Sequence, residues 1–246
     1  MSQSQTTVTY LGHSTLLITT PTGKNLLVDP FLTGNPRCPQ TWKDLSNLPS
    51  LDMILLTHIH EDHCADVVEI AKQNPNAPIV AIVEACAWLS GKGLSNRLAY
   101  MNKGGTQEVA GIRITMTHAD HTSSFVEADG RVVFGGEPAG YVLTMEDGYT
   151  LYISGDTALF GDMALIGELY QPTLAILPIG DHFTMGPREA AYAIKLLKAP
   201  HVIPVHYATF PLLTGTPEAL TKHIAGLKVT LHPLEPGEAY LCSSSE

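Results

Sequence analysis

The segment Thr57-His58-Ile59-His60-Glu61-Asp62-His63 follows directly on the apolar run Met53–Leu56. Such a run reads as a short strand buried on both faces. Three imidazoles and a carboxylate are thus delivered to the end of an interior strand, where burying them without partners is costly. In an extended chain His58 and His60 point to one face, with Ile59 on the other. Asp62 and His63 fall where the chain turns towards a helix, so both reach back to that face. The carboxyl end of a buried strand is also where open α/β sheets place ligand sites. A borderline-soft divalent metal accepts imidazole and carboxylate together and uses every lone pair. The alternative, a histidine-rich surface turn, sits poorly after a buried strand.

One such loop is too small for two metal ions. Three later positions offer ligands, each at the end of an expected strand: His121, Asp156 after Tyr152-Ile153-Ser154-Gly155, and His206 after Val202–Val205. Gly155 permits the tight turn that would present the Asp156 carboxylate. His118 lies just past the same strand as His121, so spacing alone leaves both open.

The rest of the chain alternates strands with helices. Strands are expected over Thr7–Tyr10, Ser14–Thr19, Asn25–Val28, Pro78–Val83, Gly111–Thr117, Val132–Phe134, Tyr141–Thr144, Thr150–Ile153 and Leu174–Pro178. Pro21-Thr22-Gly23 and Glu146-Asp147-Gly148 supply turns. Helices are expected near Asp66–Lys72 and Glu84–Leu89. A third is expected over Arg188–Leu197, where Pro187 opens the helix and Ala190, Ala191, Ile194 and Leu197 recur at helical spacing. Hairpins mixed with strand–helix alternation imply mixed sheets covered by helices, a layered α/β architecture. No linker or low-complexity tract divides residues 1–246, so one domain is expected.

Composition narrows the partners. Fourteen basic residues face 24 acidic ones, a net charge of −10. Nucleic acid and anionic membrane surfaces call for the opposite balance. Four cysteines, Cys38, Cys64, Cys86 and Cys242, show no CxxC spacing and suit a reducing compartment. The first residues lack a basic segment and no apolar run approaches a membrane span, so a cytoplasmic location is expected.

The order HxHxDH, lone His, Gly-Asp and final His resembles the metallo-β-lactamase superfamily over essentially the whole chain. Leu11-Gly12-His13-Ser14-Thr15, Val28-Asp29-Pro30-Phe31, Ser154-Gly155-Asp156-Thr157, Leu177-Pro178-Ile179-Gly180-Asp181, Phe183-Thr184-Met185-Gly186 and Pro204-Val205-His206-Tyr207 point further. They are similar to the branch of uncharacterised metal-dependent hydrolases related to the ascorbate-phosphate lactonases. The resemblance implies an αββα sandwich, two mixed sheets flanked by helices. It also implies two divalent ions, most readily Zn2+, with Mn2+ an alternative. His58, His60 and His121 would hold the first ion, Asp62, His63 and His206 the second, and Asp156 would bridge them. It selects His121 over His118, and its lactonase relatives suggest a homo-oligomer.

The expected reaction is hydrolysis of a small molecule by a hydroxide held between the ions. A lactone or other carboxylic ester comes first and a small phosphodiester second, since fold alone does not choose a substrate. Asp62 and Asp156 would guide the proton, and His182, at another strand end, would deliver it to the leaving group. His13 reads equally as a site neighbour or a structural turn residue. Asp29 reads as a carboxylate orienting a ligand histidine, or as an Asx-turn before Pro30. Tyr207 is read as packing, Cys64 as helix packing, and Asp120 as a surface or hydrogen-bonding residue. Two other classes remain: a di-iron redox protein, whose branch carries Glu where His60 stands, and a binding module, which would have lost ligands.

Overall fold

The computed structural model describes residues 5–94 and 98–242. The first half builds one sheet. Strands β1 (Thr7–Gly12) and β3 (Asn25–Val28) flank β2 (Thr15–Thr19), each antiparallel to it. After a short α1 (Gln40–Lys43), β4 (Met53–Leu55) joins β3 in parallel. The histidine loop then leads through α2 (Glu61–Cys64) and α3 (Val67–Gln73) to β5 (Ile79–Ile82). Next come α4 (Val83–Gly91) and β6 (Leu98–Met101), again parallel.

The second half builds another sheet. It begins with β7 (Thr106–Val109) and β8 (Ile112–His118), followed by a separate hairpin, β9 (Ser124–Val126) and β10 (Val132–Phe134). Then come β11 (Ala139–Thr144), β12 (Thr150–Ile153), α5 (Met163–Tyr170), β13 (Leu174–Pro178), α6 (Pro187–Leu197) and β14 (His201–Val205). The chain closes with α7 (Pro217–His223), β15 (Thr230–Leu231) and β16 (Ala239–Leu241). The strand orders are β16-β1-β2-β3-β4-β5-β6 and β15-β14-β13-β12-β11-β8-β7. The last strand thus returns to the first sheet, pairing Thr7 with Leu241 and Thr9 with Ala239.

Period-two alternation explains the layering. Tyr141, Leu143, Leu174 and Ile176 pack with the first sheet, while Val142, Ala175 and Leu177 pack with α5, α6 and α7. The first sheet buries Met53, Ile54 and Leu55 completely, and Val67, Ile70, Ala85 and Leu89 of α3 and α4 join the same core. The result is the expected αββα sandwich. Truncating a side chain such as Ile54 to Ala would cost about 2–5 kcal/mol. The Tyr141 hydroxyl donates to the Leu56 carbonyl at 2.8 Å, fastening the end of β4 to the opposite sheet. None of the described helices is long and apolar enough to cross a membrane.

Candidate metal centre

Beyond β4 the chain keeps Ile59 wholly buried and turns His58 and His60 the other way, as alternation requires. His58 Nε2 and His60 Nδ1 come within 3.0 Å of each other. The first turn of α2 then supplies Asp62 and His63. Asp156 follows β12, presented by Gly155 at φ 60°; a Cβ there would lie 2.8 Å from the Thr57 Cβ and 2.9 Å from the Ala139 carbonyl oxygen. His206 directly follows β14 with φ 55°.

These groups converge on one carboxylate. Asp156 Oδ2 lies 2.9 Å from His206 Nε2, 3.3 Å from His63 Nε2 and 3.7 Å from His121 Nε2. Ligand atoms of His58, His60 and His121 form one compact group, and those of His13, Asp62, His63 and His206 form another, each within 4.8 Å. Two nitrogens on one zinc ion sit about 2.9–3.4 Å apart at ordinary Zn–N lengths, a range that the 3.0 Å between His58 Nε2 and His60 Nδ1 meets. The donor chemistry suits one too, since His63 Nε2 and Asp156 Oδ1 are buried without a hydrogen-bond partner and a cation would satisfy both.

The surroundings orient these candidate ligands. Asp29 is buried, and its Oδ2 accepts from His63 Nδ1 at 2.8 Å and from the Thr57 hydroxyl at 2.7 Å, while Oδ1 accepts the Thr57 N–H at 2.8 Å. Because the Thr57 hydroxyl donates to Asp29, it accepts from His58 Nδ1–H at 3.0 Å. One carboxylate therefore keeps the proton of both histidines on Nδ1 and turns both Nε2 lone pairs towards the cluster. The Asx-turn reading of Asp29 gives way to this one.

Electrostatics follow from the crowding. Burial alone would raise the Asp156 carboxyl, but His206 and His63 hold it well below the usual range. Burial likewise opposes ionisation of Asp62, yet the His13 hydrogen bond and the neighbouring His63 hold its pKa down. Burial pushes His58 well down, and His60 and His121 down, with histidine neighbours adding to it. His63 is the exception: Asp156 and Asp29 outweigh burial and hold it well above 6.5. Most of the cluster thus offers free lone pairs near neutral pH.

The remaining residues separate cleanly. His118 is exposed and turns to Lys103, 3.3 Å away, and to the Phe160 ring. Asp120 is exposed, and its backbone N–H donates to the Thr157 hydroxyl. Cys64 is buried, donates to the Ile59 carbonyl, and its thiol is pushed well up by burial. Tyr207 is half-buried against the core beneath α6. His182 is exposed at φ 59°, and among the described residues no hydrogen bond or ion pair joins its side chain to the cluster. Its loop is nevertheless clamped beside the cluster, because Met185 N–H donates to the Thr157 carbonyl and Gly180 presses on the His206 carbonyl. Sequence reasoning missed Thr57, Thr122 and Thr209, whose hydroxyls touch His58, His60 and His13. The signal available was a hydroxyl residue immediately before or shortly after a ligand.

Residues 24–207 match the family model described as the beta-lactamase superfamily domain. The chain belongs to that superfamily. Within it, a relative named UPF0173 metal-dependent hydrolase, from Roseiflexus sp. strain RS-1, is 51% identical over 96% of this chain and 97% of its own length. The structure of Igni18, a metallo hydrolase from the archaeon Ignicoccus hospitalis, is 33% identical. It covers 98% of this chain and 100% of its own at a TM-score of 0.86. The chain is accordingly a metal-dependent hydrolase of the superfamily. The fold alone is shared with CmlA, a diiron β-hydroxylase from Streptomyces venezuelae, at 13% identity and a TM-score of 0.72, over 97% of this chain and 54% of that one. The names of the two hydrolases carry no substrate, so kinship with the ascorbate-phosphate lactonases rests on motif resemblance.

Proposed function

We propose that this superfamily member hydrolyses a small lactone or other carboxylic ester with two divalent ions, zinc or manganese. The observation that carries this reading is the convergence of His63, His121 and His206 on Asp156 Oδ2. His58, His60 and His121 would hold one ion and Asp62, His63 and His206 the other, with the Asp156 carboxylate available to both. The ions supply Lewis acidity that makes a water nucleophilic near neutral pH and stabilises developing charge on oxygen.

The chain's own groups do the rest. Asp29 keeps the His63 and His58 lone pairs facing inward. Asp62 and Asp156, held ionised by their neighbours, would guide the proton released in the reaction by accepting its hydrogen bond. His182 donates a proton to the leaving group from the clamped loop beside His206. A net charge of −10 supports an uncharged acyl substrate over a phosphodiester.

The test combines metal content with activity. Zinc, manganese and iron are quantified per chain, and a lactone and ester panel is run beside bis(p-nitrophenyl) phosphate, for wild type and Asp156→Ala. Two zinc or manganese ions per chain, with lactone hydrolysis abolished in Asp156→Ala, support the reading. Faster phosphodiester cleavage would replace the substrate class. Iron without hydrolysis would replace the reaction by redox chemistry. Wild-type kcat in His182→Ala would remove the assignment of His182.

A further inference from the structure

The Gly12-His13 corner between β1 and β2 is built at a conformational cost. Both residues are left-handed, Gly12 at φ 102° and His13 at φ 58°. A histidine in that region persists only where its surroundings over-determine it. Here they do. The His13 carbonyl accepts the His206 N–H at 2.7 Å and the Tyr10 hydroxyl at 3.2 Å. The wholly buried ring lies 4.0 Å from that of His206, centroid to centroid, with Phe31 and Phe210 edge-on around it. Its Nε2 stands 3.1 Å from Asp62 Oδ2 and its Nδ1 2.9 Å from the Thr209 hydroxyl.

Residue 13 therefore grips two candidate ligands of the same ion, His206 through its backbone and Asp62 through its side chain. Asp62 needs such a grip. Its side chain is about one-third exposed, whereas those of His206 and Asp156 are nearly closed to solvent. A mobile carboxylate at the open side of the cluster would otherwise spread over several rotamers, and holding it in one lowers the ordering cost of binding.

We propose that His13 is a positioning residue for the second metal ion. Its Nε2–H donates to Asp62 Oδ2 and holds that carboxylate in its ligating rotamer, while the Thr209 hydroxyl gives its one proton to Nδ1 at 2.9 Å rather than to the more distant Tyr207 carbonyl at 3.3 Å, which fixes the tautomer. This rests on the two-ion reading above. It predicts an asymmetry: loss of His13 weakens the ion held by Asp62, His63 and His206 and spares the one held by His58, His60 and His121. Loss of an orienting neighbour of this kind typically costs about 10–100-fold in metal affinity.

The experiment is a metal titration of metal-free protein with zinc against a chromophoric chelator, resolving two affinities. A parallel cobalt(II) titration follows the visible bands of each site. Wild type, His13→Ala, His13→Gln and Thr209→Val are compared. The expected result for His13→Ala is an unchanged first affinity and a second one about 10–100-fold weaker. The His13→Gln variant, whose amide N–H reaches towards Asp62, recovers most of the loss, and Thr209→Val shows a smaller loss of the same kind. A purely structural role would lower the thermal stability of metal-free protein while leaving the two affinities in their wild-type ratio, and that result overturns the inference. Should His13→Ala fail to fold, a wild-type second affinity and cobalt spectrum in Thr209→Val overturn it equally. A wild type that binds fewer than two ions overturns the two-ion reading, and this inference with it.

Discussion

Replacing Asp29 by Asn asks whether one buried carboxylate controls two ligands at once. The backbone at residue 29 is left-handed, φ 45°, which Asn tolerates as Asp does. Asp29 accepts three hydrogen bonds, from the Thr57 N–H, the Thr57 hydroxyl and His63 Nδ1. Asn keeps one acceptor oxygen and sets an N–H2 group at the other position. The backbone N–H of Thr57 has no way to reverse, but its hydroxyl and the two imidazoles do. The amide oxygen therefore goes to the Thr57 N–H, and the amide nitrogen faces Thr57 Oγ1 and His63 Nδ1.

The hydroxyl then turns towards His58, which moves its proton to Nε2, while His63, deprived of the Asp29 charge, gives up its Nδ1 proton and keeps the one on Nε2, the atom that faces the cluster. In metal-free protein every group stays bonded, and only the charge assistance is lost. Three bonds falling from about 1.5–3 to 0.5–1.5 kcal/mol give a destabilisation of roughly 3–4.5 kcal/mol. Metal binding suffers more, because each ion must first restore a tautomer, and about 10–100-fold in affinity is expected for each. Urea unfolding of metal-free protein measures the first quantity and chelator competition the second. Wild-type affinity for both ions in Asp29→Asn would refute the tautomer argument. Loss at a single ion would break the relay through Thr57.

Three further outcomes are expected. Gly180→Ala places a Cβ 2.0 Å from the His206 carbonyl oxygen, so the loop or the strand end must shift; metal content of the purified variant should fall below that of wild type, and full loading would show the contact to be slack. His63 is raised well above 6.5 by Asp156 and Asp29, so at pH 7 the metal-free protein carries a proton there that an incoming ion displaces. Zinc uptake in weak buffer should release protons and its affinity should fall as pH drops, while the His63 contribution to metal-free stability is present below pH 6.5 and lost as pH rises through its folded pKa. All four cysteines are buried and unpaired, so a thiol reagent should report almost none in native protein and four after denaturation; rapid native labelling would contradict the burial.

The site was more legible in the sequence than the periphery was, and the reason is physical. The candidate ligands sit at strand ends, and an interior strand such as Met53–Leu55 announces itself by an unbroken apolar run. The helix over Pro187–Leu197 likewise shows a Pro at its first position and a clean apolar stripe. By contrast β7, Thr106–Val109, lies at a sheet edge with exposed residues and no apolar run, and β16 has only three residues. These strands exist because a neighbour offers hydrogen bonds, which is tertiary information. Helix α7 was readable and passed over: Thr216 caps it through the Ala219 N–H, with Pro217 at its first position. His13 and Thr209 were harder, since their meaning comes from a contact 196 positions apart.

The return of β16 to the first strand has a consequence during synthesis. When the first six strands have left the ribosome, β1 still shows a bare row of backbone donors and acceptors beside Val8 and Tyr10, and its partner follows only after the whole second sheet. A nascent chain therefore carries an adhesive border until that second sheet has been made, a route to misassembly between neighbouring copies. Chains clipped a few residues before Ala239 keep that border for life, so limited trimming there should turn a well-behaved protein into an aggregating one while leaving every candidate metal ligand in place.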